Sequence, residues 1–541
     1  MAPTLDESAI PGTVHLVDLD GSMRMKHSKG HRDIVLVPSP SDDPDDPLNW
    51  SRSRKLLSTI CIAVFVWSSG LCGFTANSSL TQVAEGMNVP LSTLNSGAGY
   101  LFLLAGWGNL FWQPLALQYG KRPVYIVSTV ANVALTVWTP SIRTTSQLWA
   151  NKIVTGFFSA PIESLCEISV ADVYFSHERS TYMAAYALSL TGSNFFAPVI
   201  GGFITDNLGW QWCYYIPAII AAAGALFLFF FLEETNYERS MNTGVDTMSA
   251  DDGILNNQPQ RGEKSTTSTS QSAQSSQNGE VHPSPKTYLQ KLSFKPSQGK
   301  PNRLWRLFKQ PLYFLTWPVI VWAGFSYGQN LIWFNVLNAT ASLILSSAPY
   351  NFSAAMIGLA FIAAFLGTVV AALYTGPACD RLAIRLARRK GGIFEPEHRL
   401  WLFCINVLLV PGSLILWGVG AAHGVHWFGL VFGMFLLSIT TVTGCTLSIN
   451  YVIDTYQALS GDAIVTCILV RNTMSFAIGY GITPWIENMG YQNCFITAAM
   501  IGLVCGCSFF GMIVYGKGLR ARSARKYWDI VRKSSELGVA H

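Results

Sequence analysis

The connections between the long apolar runs of this chain alternate sharply in their lysine and arginine content. The basic connections hold Arg52, Arg54 and Lys55, then Lys121 and Arg122, Arg179, the loop 286–309, a cluster from Arg381 to Arg399, and a tail from Lys517. The connections around 79–95, 206–210, 338–353, 421–427 and 486–492 contain neither residue, and 141–147 contains only Arg143. Because positive loops stay in the cytosol, this alternation predicts a multi-pass protein of the cell membrane with both termini cytosolic.

The predicted spans are twelve apolar runs. They lie at about 56–78, 97–117, 123–140, 148–172, 182–205, 211–233, 312–337, 354–376, 400–420, 428–450, 464–485 and 493–515. Most reach the roughly 20 residues that carry a helix across ~30 Å of hydrocarbon. A long polar segment separates the sixth run from the seventh. The predicted fold is therefore an all-α integral membrane protein of twelve transmembrane helices in two six-helix bundles, with a substrate path between them.

Polar segments divide the chain into five parts. These are a disordered cytosolic tail at 1–50, a first bundle at 51–235, a disordered cytosolic linker at 236–309, a second bundle at 310–516 and a basic cytosolic tail at 517–541. The linker contains a Ser-Thr-Gln tract that cannot bury a core. The polar start of the chain predicts no cleavable signal peptide.

Composition restricts the class of protein. Half the residues are hydrophobic and only 12% are charged, against about a quarter in soluble domains. The net charge of +5 reflects the predicted cytosolic loops, so we expect no nucleic-acid partner. The sequence shows no metal-ligand spacing, nucleotide-binding domain or nucleophile–base arrangement. We expect a monomeric protein that is not an enzyme and binds no metal or cofactor.

The fifth run contains a proline and three glycines in a recognisable order, Gly192-Ser-Asn-Phe-Phe-Ala-Pro198-Val-Ile-Gly201-Gly202. This segment resembles the antiporter motif of the drug:proton antiporter branch of the major facilitator superfamily, with Ala197 in place of the motif's first glycine. Pro198 frees a carbonyl and bends the helix, and the two final glycines let another helix approach closely. The spacing is equally consistent with a packing kink that has no role in coupling.

The connection after the second run is similar to the loop signature of the same superfamily. Gly120, Lys121 and Arg122 match it, whereas Leu117 stands where the family has an aspartate that helps latch the cytoplasmic gate. The second half keeps the acidic element as Asp380-Arg381. The resemblance therefore implies a gate that rests mainly on Asp380. The alternative is that these charges only set the topology.

Further segments are similar to fungal transporters of this branch, and the resemblance runs from about residue 46 to 515. They are Asp46-Pro-Leu-Asn-Trp-Ser, the stretch 171–179, and the stretches 459–463 and 471–481. The resemblance implies an efflux carrier that exports a xenobiotic or a fungal secondary metabolite in exchange for protons, as in multidrug resistance. Two alternatives stay open: proton-coupled uptake of an organic cation such as a polyamine, and a non-transporting receptor or scaffold on a carrier fold.

The fourth run carries the predicted proton-coupling residues Lys152, Glu163 and Glu167. At ~100° per residue these positions share one helix face. Lys152 occupies the place of an arginine that the family uses in proton coupling. A charge at mid-membrane costs on the order of 3 kcal/mol, and acids buried there are functional by default. The alternative is a structural pair, in which Lys152 or another buried base neutralises one glutamate.

Polar and aromatic residues in other runs are the predicted lining of a substrate cavity. They are Asn77, Trp107, Asn109, Asn194, Tyr327, Gln329, Asn330 and Trp333. Such a lining suits flat or amphipathic organic substrates. Arg471 is predicted to pair with Asp454 or Asp462 at the cytosolic edge. Asn338 and Asn351 are weak glycosylation acceptors on a predicted outer loop.

Overall fold

The computed structural model describes residues 10–15, 27–28, 31–35, 43, 45–237, 304–389 and 393–536. Its helices in chain order are α1 Arg52–Phe74, α2 Leu80–Met87, α3 Leu91–Trp107, α4 Asn109–Tyr119, α5 Lys121–Trp138, α6 Thr145–Ser159, α7 Pro161–Val173, α8 Ser176–Leu208, α9 Trp212–Phe231, α10 Leu304–Phe314, α11 Pro318–Ser346, α12 Ala354–Leu373, α13 Cys379–Arg389, α14 Cys404–Ala422, α15 Trp427–Thr455, α16 Ser460–Gly506 and α17 Ser508–Glu536. Strand β1 (Val14–His15) pairs antiparallel with β4 (Ile393–Phe394), and β2 (His27–Ser28) pairs with β3 (His31–Val35).

The described helices are long and apolar enough for a polytopic membrane protein. Nine stretches meet criteria of length and apolarity for crossing a membrane within the described residues. The last of them, Gln457–Lys533, holds two of the predicted spans, because its backbone leaves the helical region at Gly490 (φ 72°). The pair α3–α4 and the helix α11 occupy the places of the remaining predicted spans but are less apolar. The predicted all-α architecture is confirmed.

Two predicted boundaries differ from the structure. The helix α11 continues to Ser346, so Asn338 lies inside a helix and not on the predicted loop, whereas Asn351 is exposed between helices. Helix α10 begins at Leu304, inside the predicted linker, of which 238–303 lies outside the described residues. An apolar-run count missed both because a polar residue inside a helix lowers local hydropathy without ending the helix.

The fourth span consists of two consecutive helices joined at Ala160, whose backbone keeps right-handed helical angles (φ −49°, ψ −41°). Helix α6 ends at Ser159 and α7 starts at Pro161, with Ala160 between them. Proline has no N–H to donate to the preceding turn, which makes it a natural first residue of a helix. Lys152 lies on α6 and both glutamates lie on α7, so Lys152 and Glu163 are about 16 Å apart along the axis at 1.5 Å per residue. The predicted common face stays a prediction.

Each half has its own packed core. Phe65 and Tyr125 meet edge to face at 4.8 Å in the first half. Phe361, Trp417 and Leu437 are fully buried in the second. Many other apolar side chains are exposed, as expected for surfaces that face lipid. Since lipid is as apolar as leucine, close packing and not burial alone must hold the helices together.

We call the end of the bundles that carries Lys121, Arg122, Arg399 and Arg520 the basic face. At the other end the two halves touch closely. A Cβ on Gly202 of α8 would lie 2.3 Å from the Ala354 carbonyl, and one on Gly358 of α12 would lie 2.7 Å from the Pro198 carbonyl. Thr81 also meets Ser342 at 3.2 Å between hydroxyls. The structure is therefore closed at the end opposite the basic face.

Candidate functional site

A pair of opposite charges joins the two halves, within the fourth and the eleventh of the predicted spans. Oε1 of Glu163 on α7 accepts a hydrogen bond from Arg471 Nη2 on α16, and the two side chains form an ion pair. Its second oxygen accepts from Asn472 Nδ2 at 2.8 Å. The Arg471 side chain is only 4% exposed and that of Glu163 13%. We call these three residues, with Tyr327, the paired layer.

Tyr327 of α11, in the second half, contacts the guanidinium of Arg471. Arg471 Nη1 donates to its hydroxyl at 2.5 Å, and the guanidinium carbon lies 4.6 Å from the ring centroid. The side-chain oxygen Oδ1 of Asn472 accepts hydrogen bonds from Arg471 Nε at 3.1 Å and Nη2 at 2.7 Å. The guanidinium is thus held by hydrogen bonds and a cation–π contact, and its charge is balanced across the interface.

A glycine allows this layer to form. A Cβ on Gly106 of α3 would lie 2.6 Å from the Asn472 Cβ. Any larger residue there would push α3 away from α16. The residues of the paired layer that belong to the first and to the second half would then move apart. Sequence reasoning missed this glycine, because a glycine inside an apolar run carries no pattern that distinguishes close approach from ordinary packing.

Glu167 lies one turn further along α7 in a different situation. Its side chain is 6% exposed, and Oε2 has no hydrogen-bond partner within the described residues. Within the same residues we find no ion pair to its carboxylate. Burying an unpartnered carboxylate is expensive, and protonation or a bound cation removes the cost. Of the two glutamates, only Glu163 therefore has a charge partner among the described residues.

Glu167 faces a cleft between the two halves. The cleft offers about 50 Å³ of room for the centres of water-sized molecules. Helix α8 contributes Tyr186 and Thr191, and α15 contributes Thr446 and Asn450. Arg399 lines the cleft towards the basic face, and its Nε lies 2.7 Å from Asp454 Oδ2. The lining is mostly apolar with a few polar groups, as is typical of sites for small organic molecules.

The predicted pairing of Arg471 is wrong. Arg471 pairs with Glu163, and not with Asp454 or Asp462; Asp462 instead accepts from Gln113 at 3.1 Å. Lys152 makes no ion pair with either glutamate within the described residues, and its Cγ lies beside Gly97 of α3. The pairing of Glu163 with Arg471 is a tertiary contact, since it joins residues 308 positions apart in the chain.

The predicted cavity residues lie in several different environments. Tyr327 reaches the paired layer. Several others serve packing: Asn109 is fully buried and accepts from Ser164 at 2.6 Å, Asn330 accepts from Asn406 at 3.0 Å, and Trp333 is 2% exposed in the second core. Trp107 is 43% exposed and donates to Thr473 at 3.2 Å. Asn77 is half-buried near the closed end, and Asn194 and Gln329 each keep a buried carbonyl oxygen without a partner in the described residues.

The glycines of the predicted antiporter motif lie where the two halves close. A Cβ on Gly201 would lie 1.8 Å from the Thr75 carbonyl of the first half, whereas Gly202 faces the second half through Ala354. Gly192 lies beside Phe365 of α12 at 3.3 Å from an added Cβ. The motif therefore forms the contact of α8 with α12 and the close approach of α8 to the end of α1.

The predicted gate residues of the first half pair within that half. Gly120 has φ 112°, and the following backbone amides of Lys121 and Arg122 donate to Glu234 at 3.0 and 3.1 Å. A carboxylate at the start of α5 is stabilised by the helix dipole. Lys121 also pairs with Asp172. Arg381 is exposed, and the side chain of Asp380 lies outside the described residues, so its predicted gate role stays a prediction.

Residues 60–344 match the Major Facilitator Superfamily. The chain belongs to this superfamily. An uncharacterized MFS-type transporter of Schizosaccharomyces pombe is 25% identical over 98% of this chain and 95% of its own length. Protein HOL1 of Saccharomyces cerevisiae is 24% identical over 98% of both chains, and the MFS-type transporter penM of Penicillium rubens is 25% identical over 87% of this chain and 84% of its own.

The fold is similar to that of a solved carrier of the superfamily. The xylose transporter XylE from E. coli, in a partially occluded inward open conformation, has a TM-score of 0.55 at 10% identity, covering 85% of this chain and 98% of XylE. At this identity the likeness shows the major facilitator fold alone. The predicted fold is confirmed, and the chain is a transporter of this superfamily and not an enzyme.

Sequence reasoning missed three residues that the structure places at the candidate site. Tyr186, Asn472 and Arg399 were not singled out as site residues, although each lies beside a charged group of the interface. A signal existed for Asn472, because it follows an arginine in an apolar run, where a buried charge needs polar neighbours. No comparable signal existed for Tyr186, since tyrosines are common in membrane spans.

Proposed function

We propose that this chain is a secondary transporter of the drug:proton antiporter branch that exports a small organic compound across the plasma membrane in exchange for protons. The observation that supports it most is the unpartnered carboxylate of Glu167, buried in a cleft between the halves. Its neighbour Glu163 already has a charge partner in Arg471. Glu167 is therefore the group that alternates between a proton and the cargo.

The geometry suggests how the exchange works. With Glu167 ionised, the cleft carries one uncompensated negative charge, which favours binding of the cargo or of a proton but not of both. The paired layer forms a contact between the halves that has to break or rearrange when the bundles rock. A ligand moves such an equilibrium only by binding one state better than the other. A proton or a cargo molecule bound at Glu167 changes the charge one turn away from Glu163. It therefore binds the state with the paired layer intact and the state with the layer broken with different affinities.

The uptake of an organic cation is a second candidate. The observation that favours it is the sign of the same unpaired charge, because Arg399 and Arg471 both have acidic partners. A cation such as a polyamine would then be held by Glu167. The direction of transport distinguishes this candidate from the first.

The test uses pump-deficient yeast that expresses the chain at the surface, with retention measured for a panel of toxic cations, anions and neutral compounds. Export predicts lower retention, which is lost with a protonophore and in Glu167→Gln. Glu85→Gln is the matched control, since Glu85 is exposed on α2 far from the cleft. Higher retention of cations would favour uptake. Proton-dependent export that survives in Glu167→Gln would contradict the assigned role of this residue.

A further inference from the structure

Part of the N-terminal tail forms a tight turn with a specific sequence. Thr13 N donates to the Ile10 carbonyl at 3.3 Å, and Gly12 between them has φ 81°. Proline at the second position and a glycine of positive φ at the third are the requirements of a type II turn. The sequence Ile10-Pro11-Gly12-Thr13 therefore specifies the shape of this segment locally.

The turn meets a buried arginine on the basic face. Arg520 of α17 is 0% exposed and donates from Nε and Nη2 to the two oxygens of Glu397 at 2.8 and 2.7 Å. Its remaining nitrogen, Nη1, donates to the Pro11 carbonyl at 2.6 Å and to the Thr13 hydroxyl at 3.3 Å. A guanidinium has a planar fork, so binding a carboxylate in this way leaves one side for a second acceptor. The turn supplies it.

The fit around Gly12 leaves no room for a side chain. A Cβ there would lie 2.7 Å from the Asp454 carbonyl, 2.8 Å from the Thr455 Cα and 3.0 Å from the Pro396 Cγ. Two of these neighbours are backbone atoms, which cannot rotate away. Beyond the turn, β1 pairs with β4 in antiparallel register. The contact thus combines a shaped turn, a charge-assisted hydrogen bond and a short ladder.

We propose that Arg520, Glu397, Pro396 and the end of α15 at Asp454–Thr455 form a binding site for a Pro-Gly turn followed by an extended strand. Residues 10–15 of the same chain are its ligand. The Asp454 carbonyl contacts the turn, and its carboxylate pairs with Arg399 in the wall of the cleft. Occupation of the site therefore steadies one wall of the cleft. This inference stands apart from the proposed function, because it concerns only contacts on the basic face.

Hydrogen–deuterium exchange of the purified full-length chain tests the site. In the wild type, the amides of β1 and β4 are protected together. Gly12→Val removes the turn from the site, so protection is lost in both strands. Gly518→Ala is the control, since an added Cβ there meets nothing within 4 Å. Segment 45–50, whose Leu48 and Trp50 are buried, keeps its protection and shows that the variant is folded.

A peptide added in trans separates a binding site from a merely folded terminus. A synthetic peptide of residues 8–17 restores the protection of β4 in the Gly12→Val protein, whereas the same peptide with valine at position 12 does not. Adding Arg520→Lys to the Gly12→Val protein weakens the restoration, because lysine lacks the fork. Wild-type protection in the Gly12→Val protein, or no restoration by the wild-type peptide, would overturn the proposal.

Discussion

Two glutamates lie one helical turn apart, Glu163 in the paired layer and Glu167 in the cleft, and their surroundings are opposite in kind. Glu163 accepts from Arg471 and Asn472 of the other half, so its charge is fully compensated. Glu167 faces the cleft, and its Oε2 has no hydrogen-bond partner in the described residues. The same type of side chain therefore has a charge partner at one position and none among the described residues at the next.

The difference shows why spacing alone does not assign a role to a buried acid. Both glutamates lie on the same helix, α7, which packs against α8. What separates them is the neighbour across the interface, which is a guanidinium for Glu163 and a largely apolar wall for Glu167. Compensation by a partner favours a permanent charge, whereas its absence favours exchange with a proton or ligand.

The largest effect is expected from breaking the paired layer. Arg471→Met leaves Glu163 without its charge partner, and losing one member of a buried pair costs about 3–5 kcal/mol. We expect a clear fall in the Tm of the purified protein. Adding Glu163→Gln to the same chain should recover most of that fall, because the remaining charge is then gone. Equal destabilisation in the double variant would show that the layer is not held by charge compensation.

The next effect concerns the cleft. Glu167→Gln keeps the shape of the side chain but removes the exchangeable charge. We expect proton-driven transport to fall by about tenfold or more, each tenfold corresponding to about 1.4 kcal/mol, while the Tm stays the same or rises. The Tm and the transport rate measured on one preparation check this. A large loss of Tm would mean that Glu167 is structural, like its neighbour.

A smaller effect sharpens the description of the paired layer. Tyr327→Phe removes the hydroxyl that accepts from Arg471 Nη1 but keeps the ring under the guanidinium. Hydrogen bonds to charged groups contribute about 1.5–3 kcal/mol, so the loss of Tm should be distinctly less than in Arg471→Met. If the two variants were equally unstable, the ion pair with Glu163 would carry little of the stability.

The smallest effect is expected at the edge of the cleft. The Tyr186 hydroxyl donates to the Ile162 carbonyl at 2.9 Å and so ties α8 to the first turn of α7. Tyr186→Phe removes an ordinary hydrogen bond, of about 1 kcal/mol. We expect a slight loss of Tm and a change in the apparent affinity for the cargo, measured by the concentration dependence of transport. An unchanged affinity would place Tyr186 outside the binding region.

By itself, the sequence determined the class and architecture of this protein. Apolar runs of about 20 residues and alternating basic loops leave few alternatives to a twelve-span membrane protein, because lipid excludes unpaired backbone groups. The local motifs also specified features that need no distant partner. Gly120 of the loop signature, for example, lies at a turn with φ 112°.

The tertiary structure decided which buried groups meet. It paired Glu163 with Arg471, separated Lys152 from both glutamates, and left Glu167 facing the cleft. It also placed residues 10–15 against Arg520, more than 500 positions later in the chain. These contacts join residues far apart in sequence. A periodic pattern reports only which face of its own helix is apolar, so the identity of the partner on the other side appears only when the bundles pack.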